Sequence, residues 1–317
     1  MNAIGANTWI WVSPLSDERL SELAPRVAGW GFDLIELPVE NRSDWDPART
    51  RDLLESLGLA VSTCAVMSAE RDLVSTDKGV IRSTQDYVRA GVDMAAQVGA
   101  RAFAGPMYSP TGRTWLMDRS ERQGMVGRLV ESLRPAADYA GQRGVTLALE
   151  PLNRFETSFI NTAEQVMEVV DRVGSPALGV LLDTFHMNIE ERDPAAAILA
   201  CAGHLIHFHA CGCDRGAPGG DQIGWPAIAA AFREAGYEGP VVIESFTVEN
   251  QAIARAAAIW RPLAETQDAI ATDGLRFLRR LLNPEAPTPR NRGFRGDPEA
   301  PTPRNRGFRG DPEAVPA

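Results

Sequence analysis

The stretch Val145-Thr146-Leu147-Ala148-Leu149-Glu150-Pro151-Leu152-Asn153-Arg154-Phe155-Glu156 decides the reading of this chain. An apolar run of strand length ends in a carboxylate. Pro151 then stops regular pairing, and a polar loop carries a second carboxylate, Glu156. The pattern recurs downstream: Gly179-Val180-Leu181-Leu182 ends in Asp183, His204-Leu205-Ile206-His207-Phe208 in His209, and Pro240-Val241-Val242-Ile243 in Glu244. Four apolar strands each deliver one acidic or imidazole side chain at their carboxyl ends.

Working outward, strand-like runs alternate with longer amphipathic segments along the rest of the chain. Strands are expected at Ala3 to Trp9, Phe32 to Pro38, Leu59 to Val66 and Ala100 to Gly105, then Val145 to Glu150, Ala177 to Asp183, His204 to His209 and Gly239 to Glu244. Helices are expected from Ser16 to Trp30, from Asp46-Pro47, from Thr76 to Val98, from Arg119 to Arg143 and after Asn161-Thr162. Further helices follow Asp193-Pro194 and Trp225-Pro226, and a long helical region reaches about Leu282. Short apolar strands that each feed a helix argue for a parallel sheet covered on both faces. Eight such units in this length fit a (β/α)8 TIM barrel better than an open doubly wound sheet. No G-x-G-x-x-G follows the first strand, so no nucleotide cofactor is expected. The barrel domain is expected over residues 1–283. Residues 284–317 read as a separate tail rich in Pro, Gly and Arg, in which Pro284 to Asp297 is repeated as Pro298 to Asp311. Such composition cannot bury a core and suggests a mobile or irregular arm.

Composition narrows the function classes. Of the 317 residues 44% are hydrophobic and 23% charged, as in ordinary globular proteins. No apolar run approaches the ~20 residues of a membrane span, so no membrane partner is expected. No basic segment followed by an apolar one opens the chain, and the four cysteines are irregularly spaced. A reduced, cytoplasmic protein is therefore expected. The net charge of −10 argues against a nucleic-acid partner.

In a barrel the carboxyl ends of the strands converge on one face. Glu150, Asp183, His209 and Glu244 would then come from four neighbouring strands. Three carboxylates and an imidazole at one spot repel one another unless a cation is present. Oxygen-rich ligands with one His suit Mn²⁺, Mg²⁺ or Co²⁺ better than structural zinc, and a zinc site at Cys211-Gly212-Cys213 would leave the carboxylates unexplained. Glu156, His186 and Arg215 follow the strand ends in loops and suit a small polyhydroxylated ligand. Trp9, Trp11, Cys64, Gly105, Trp115 and Phe246 are candidates for the apolar wall of its pocket. His207 reads as a packed core residue and His204 as structural.

The motifs Leu149 to Thr157, Asp183 to Glu191, His207-Phe208-His209-Ala210 with Asp214-Arg215-Gly216, and Ile243-Glu244-Ser245-Phe246 occur in an order that resembles the ketose 3-epimerases (D-tagatose and D-allulose 3-epimerases). These belong to the xylose-isomerase-like sugar isomerases. The resemblance runs from residue 1 to about 282. It implies that Glu150, Asp183, His209 and Glu244 bind one divalent ion, Mn²⁺ foremost with Co²⁺ or Mg²⁺ as alternatives. Glu150 and Glu244 would be the catalytic acid/base pair, and Glu156, His186 and Arg215 would contact the sugar near O1, O2 and O3. It also implies a homodimer or homotetramer. The opening segment Asn7-Thr8-Trp9-Ile10-Trp11 departs from the family in lacking an early Tyr or Phe, so the preferred ketose stays open.

The implied reaction is epimerisation of free ketoses at C3, of the D-fructose/D-allulose, D-tagatose/D-sorbose and L-ribulose/L-xylulose type, through a metal-stabilised enediolate. It needs a base on each face of the carbon and a Lewis acid. Three alternatives stand beside it. An aldose–ketose or hydroxypyruvate-type isomerase would use one base. A metal-dependent phosphodiester nuclease would need more than the four histidines of this acidic chain. A non-catalytic sugar-binding protein would leave the paired carboxylates unused.

Overall fold

In the computed structural model, residues 2–282 are described. The duplicated segment beginning at Pro284 lies outside them. In chain order the elements begin with β1 Ile4–Asn7, α1 Asp17–Trp30, β2 Leu34–Val39, α2 Pro47–Leu57, β3 Ala60–Ala65, α3 Lys78–Val98, β4 Ala102–Gly105 and α4 Arg119–Gln142. They continue with β5 Thr146–Leu149, α5 Ala163–Val173, β6 Leu178–Asp183, α6 Thr184–Glu190 and α7 Pro194–Ala200. The last are β7 Leu205–Ala210, α8 Trp225–Ala235, β8 Val241–Ile243, α9 Gln251–Ala256 and α10 Gln267–Leu282. The strands close into a parallel barrel in sequence order, β8 pairing with β1. The expected (β/α)8 barrel is therefore the observed fold.

Local chemistry places the boundaries. Ser16, Asp46, Asp77, Asp118 and Thr162 cap α1 to α5, each accepting a hydrogen bond from a backbone N–H in the first turn. Leu20, Leu23, Ala24 and Val27 put one stripe of α1 in the core. Gly91 lets α3 lie directly on β4, because a Cβ there would stand 2.3 Å from Phe103 Cζ. Gly179 serves the β6–β7 contact in the same way, where a Cβ would meet Ile206 and the His204 carbonyl.

Three expectations are corrected. The first strand stops at Asn7, and Trp9 lies in a 3-10 turn, Thr8–Ile10, capped by the Asn7 side chain. His186 is on a helix, α6, not in a loop, because Asp183 ends β6 and at once caps α6 by accepting from Phe185 N. The final helical region is two helices, interrupted where Ala258 takes a left-handed backbone (φ 55°) and Pro262 follows.

The register positions the site. Asp183 on β6 is level with His209 on β7, which is level with Val242 on β8. A shift between Val180 and Leu181 skips Ile206 and leaves Leu181 opposite His207. The barrel interior divides in two. Ala104, Ala148 and Leu181 form an apolar cluster with Ile206. Asn7, Glu36, Ser62, His207 and His209 form a buried polar one.

Candidate active site at the carboxyl ends of the strands

Glu150 follows β5, Asp183 ends β6, His209 lies on β7 and Glu244 follows β8. One ligand atom from each lies within 4.8 Å of those of the other three, and all four residues are buried. The structure thus brings together the four strand ends that the sequence singled out. His209 Nδ1 is 3.4 Å from Glu244 Oε2 and 3.9 Å from Glu150 Oε1. Glu150 Oε1 and His209 Nδ1 have no hydrogen-bond partner. Buried polar atoms without partners are rare and ask for an explanation. Three carboxylates and an imidazole with two such atoms fit a divalent cation that favours oxygen ligands.

Arg215 enters this group from the loop after β7. It adopts a left-handed backbone (φ 69°), and its carbonyl accepts from Phe246 N. Its Nη1 donates to Asp183 Oδ2 and, at 3.0 Å, to Glu244 Oε2. The guanidinium is sandwiched between the Phe185 and Phe246 rings, 4.5 and 4.8 Å from their centroids. His186 Nδ1 accepts from the Asn153 backbone N–H at 3.0 Å, and its Nε2 lies 3.0 Å from Arg215 Nη2 and 3.7 Å from Glu150 Oε1. Glu156 is half-buried on the same rim, with Oε1 accepting from Asn153 Nδ2 at 2.7 Å.

The electrostatics follow from burial and neighbours. Burial and then the Glu244 charge push the Glu150 carboxyl well above its usual range. Burial also pushes on Glu244, yet His209 and Arg215 outweigh it and hold that carboxyl below the usual range. Burial, outweighing Arg215, raises Asp183. Burial, then the charges of Arg215 and His209, all push the His186 imidazole well below its usual range.

The proposed wall residues divide. Phe246 stacks on Arg215, and the Trp9 ring meets Phe246 edge-on while its Nε1 donates to Glu40. Cys64 is buried beside Asn7, its thiol pushed up by burial and by the charges of Glu36, Glu244 and Glu150. The Gly105 carbonyl accepts from Glu150 N, and a Cβ there would crowd the Ala65 carbonyl at 3.1 Å. Trp115 lies on a rim loop tied to the Glu156 segment through Gly112 N and the Glu156 carbonyl, with Arg113 over its ring. Trp11 is held elsewhere. It stacks on Trp30 and donates to Asp268, so its ring is not brought to the group.

One residue of this region was missed by sequence reasoning. Glu36, on β2, places Oε1 2.7 Å from His209 Nε2 and Oε2 2.7 Å from His207 Nε2, the latter at ion-pair distance without hydrogen-bond alignment. Its signal was a charge at an inward position between Ile35 and Leu37, both fully buried. His207, read as a packed core residue, is fully buried but faces this carboxylate.

A closed (β/α)8 barrel with converging acidic and imidazole groups at its strand ends defines an enzyme of the TIM-barrel class. Residues 25–281 match the family described as Xylose isomerase-like TIM barrel. The chain belongs to this family and, within it, to the ketose 3-epimerases, which makes it an isomerase. It is 31% identical to a ketose 3-epimerase of Arthrobacter globiformis over 87% of this chain and 95% of that one. It is 31% identical to an L-ribulose 3-epimerase of Mesorhizobium japonicum over 88% and 93%. Among solved structures, an L-ribulose 3-epimerase superposes with a TM-score of 0.84 at 31% identity, covering 89% of this chain and 95% of that one. A D-allulose 3-epimerase from Methylomonas sp. in complex with D-allulose gives 0.81 at 28%, covering 88% and 96%.

Proposed function

We propose that this protein epimerises free ketoses at C3, using Glu150 and Glu244 as the two acid/base groups. The observation that carries the reading is their placement. Glu150 comes from the end of β5 and Glu244 from the end of β8, while Asp183 and His209 come from the two strands between. Two carboxyl groups thus approach one spot from different sides of the barrel mouth. Inverting C3 requires this, because the proton alpha to the C2 carbonyl leaves one face and a proton returns to the other.

Glu150, Asp183, His209 and Glu244 would hold a divalent cation, Mn²⁺ foremost with Co²⁺ or Mg²⁺ as alternatives. When bound it supplies a Lewis acid for the charge that develops on the substrate oxygens. His186 and Arg215 add N–H donors to the same side, where negative charge grows as the proton departs. Glu156 accepts from the hydroxyl at the O1 end. Trp9, Cys64, Gly105, Trp115 and Phe246 bound the sugar, and the substrates are of the fructose/allulose, tagatose/sorbose and ribulose/xylulose type. Residues 1–283 form the catalytic unit, which works as a homodimer or homotetramer.

A substrate panel tests this reading. Purified protein with Mn²⁺ should interconvert at least one C3-epimeric ketose pair, and EDTA should stop turnover until Mn²⁺ or Co²⁺ is restored. Conversion of a ketose to an aldose instead would favour one-base isomerisation on the same scaffold.

A further inference from the structure

Beneath the strand-end cluster, Glu36 lies fully buried within the barrel. Its Oε1 accepts from Asn7 Nδ2 at 2.9 Å and lies 2.7 Å from His209 Nε2. Its Oε2 accepts from Ser62 Oγ at 2.9 Å and lies 2.7 Å from His207 Nε2. These partners come from β1, β3 and β7, so the carboxylate is gripped from several sides of the barrel. An ion here would displace the hydrogen bonds that Asn7, Ser62 and His209 make with Glu36, so the arrangement suits support better than a second metal. A carboxylate against Nε2 keeps the ring proton there. It leaves Nδ1 as the ring nitrogen that faces Glu150 and Glu244, and Nδ1 is the one without a hydrogen bond.

We propose that Glu36 is a positioning residue for His209: through Nε2 it fixes the tautomer and orientation that present Nδ1 to the strand-end cluster. The inference rests on the reading of that cluster as a metal site. Partners that orient a metal-binding histidine typically set 10- to 100-fold in affinity. Ser62 and Asn7 act one step further out, by holding Glu36 itself.

The test uses the full chain, stripped with EDTA and titrated with Mn²⁺ by calorimetry and with Co²⁺ by visible absorption. Glu36→Gln should bind Mn²⁺ about 10- to 100-fold more weakly and shift the Co²⁺ band, with far-UV circular dichroism unchanged. A purely structural role would lower the melting temperature of the metal-free protein and leave affinity and Co²⁺ spectrum at wild-type values, which overturns the proposal. If Glu36→Gln does not fold, Ser62→Ala takes its place. A weaker Mn²⁺ affinity with a shifted band supports the proposal, and wild-type values for both overturn it. No Mn²⁺ or Co²⁺ binding by the wild type would instead overturn the metal-site reading, and this proposal with it.

Discussion

The mouth and the floor of the barrel are both buried and both charged, yet their carboxylates differ in one respect. At the floor, Glu36 is surrounded by Asn7, Ser62, His207 and His209, each within 2.9 Å of one of its oxygens. At the mouth, Glu150 Oε1 and His209 Nδ1 are buried without a partner. His209 belongs to both regions, one ring nitrogen serving each. A satisfied buried charge is support, whereas an unsatisfied one marks a place prepared for something else. The electrostatics show the same contrast. Burial of Glu36 is outweighed by His207 and His209, which hold its carboxyl well below the usual range, whereas Glu150 is pushed well above it.

The largest expected effect breaks the mouth. Glu150→Gln and Glu244→Gln each keep the side-chain shape and remove a proton-transfer group. Each should lower kcat by about 10²- to 10⁴-fold, measured by product chromatography, with circular dichroism unchanged. Activity near wild type in either would end the two-carboxylate account. Next comes Arg215→Lys, which keeps the charge and loses the two-nitrogen reach and the stacking between Phe185 and Phe246. A drop in kcat/KM of about 10- to 100-fold is expected, the size of a lost charged hydrogen bond.

Smaller effects sharpen the contrast between tight and open positions around the barrel. Gly91→Ala forces a Cβ against Phe103 and should cost about 1–3 kcal/mol in urea unfolding. Gly29→Ala, in α1, meets nothing within 4 Å and should stabilise by up to about 1 kcal/mol. The smallest effect belongs to Trp11→Phe. Its ring lies against Trp30, so kcat/KM should stay within about twofold of wild type.

Much of the mouth was legible because it is written along single strands. An apolar run ending in Glu, Asp or His is a local pattern, and eight strand–helix alternations fix where those ends converge. The floor was not legible, because Glu36 acquires its meaning from β1, β3 and β7, which only the closed barrel brings to it. Helix α6 was hidden for a different reason. It follows β6 without a linker, and Asp183 serves as strand end, helix cap and site residue at once. The break before α10 turns on Ala258, a residue type that rarely signals a left-handed backbone. Trp11 shows the limit of proximity in sequence, since a position two residues past Trp9 faces a different part of the molecule.

The most direct test of the central claim is the position of deuterium in the sugar after incubation with enzyme and Mn²⁺ in D₂O. D-fructose, D-tagatose and L-ribulose are each followed by proton NMR. Removal and return of a proton on opposite faces of C3 by Glu150 and Glu244 predicts deuterium at C3 of the epimeric product, with C1 unlabelled. Deuterium at C1 or C2 with an aldose product, or turnover without solvent label at C3, would contradict it.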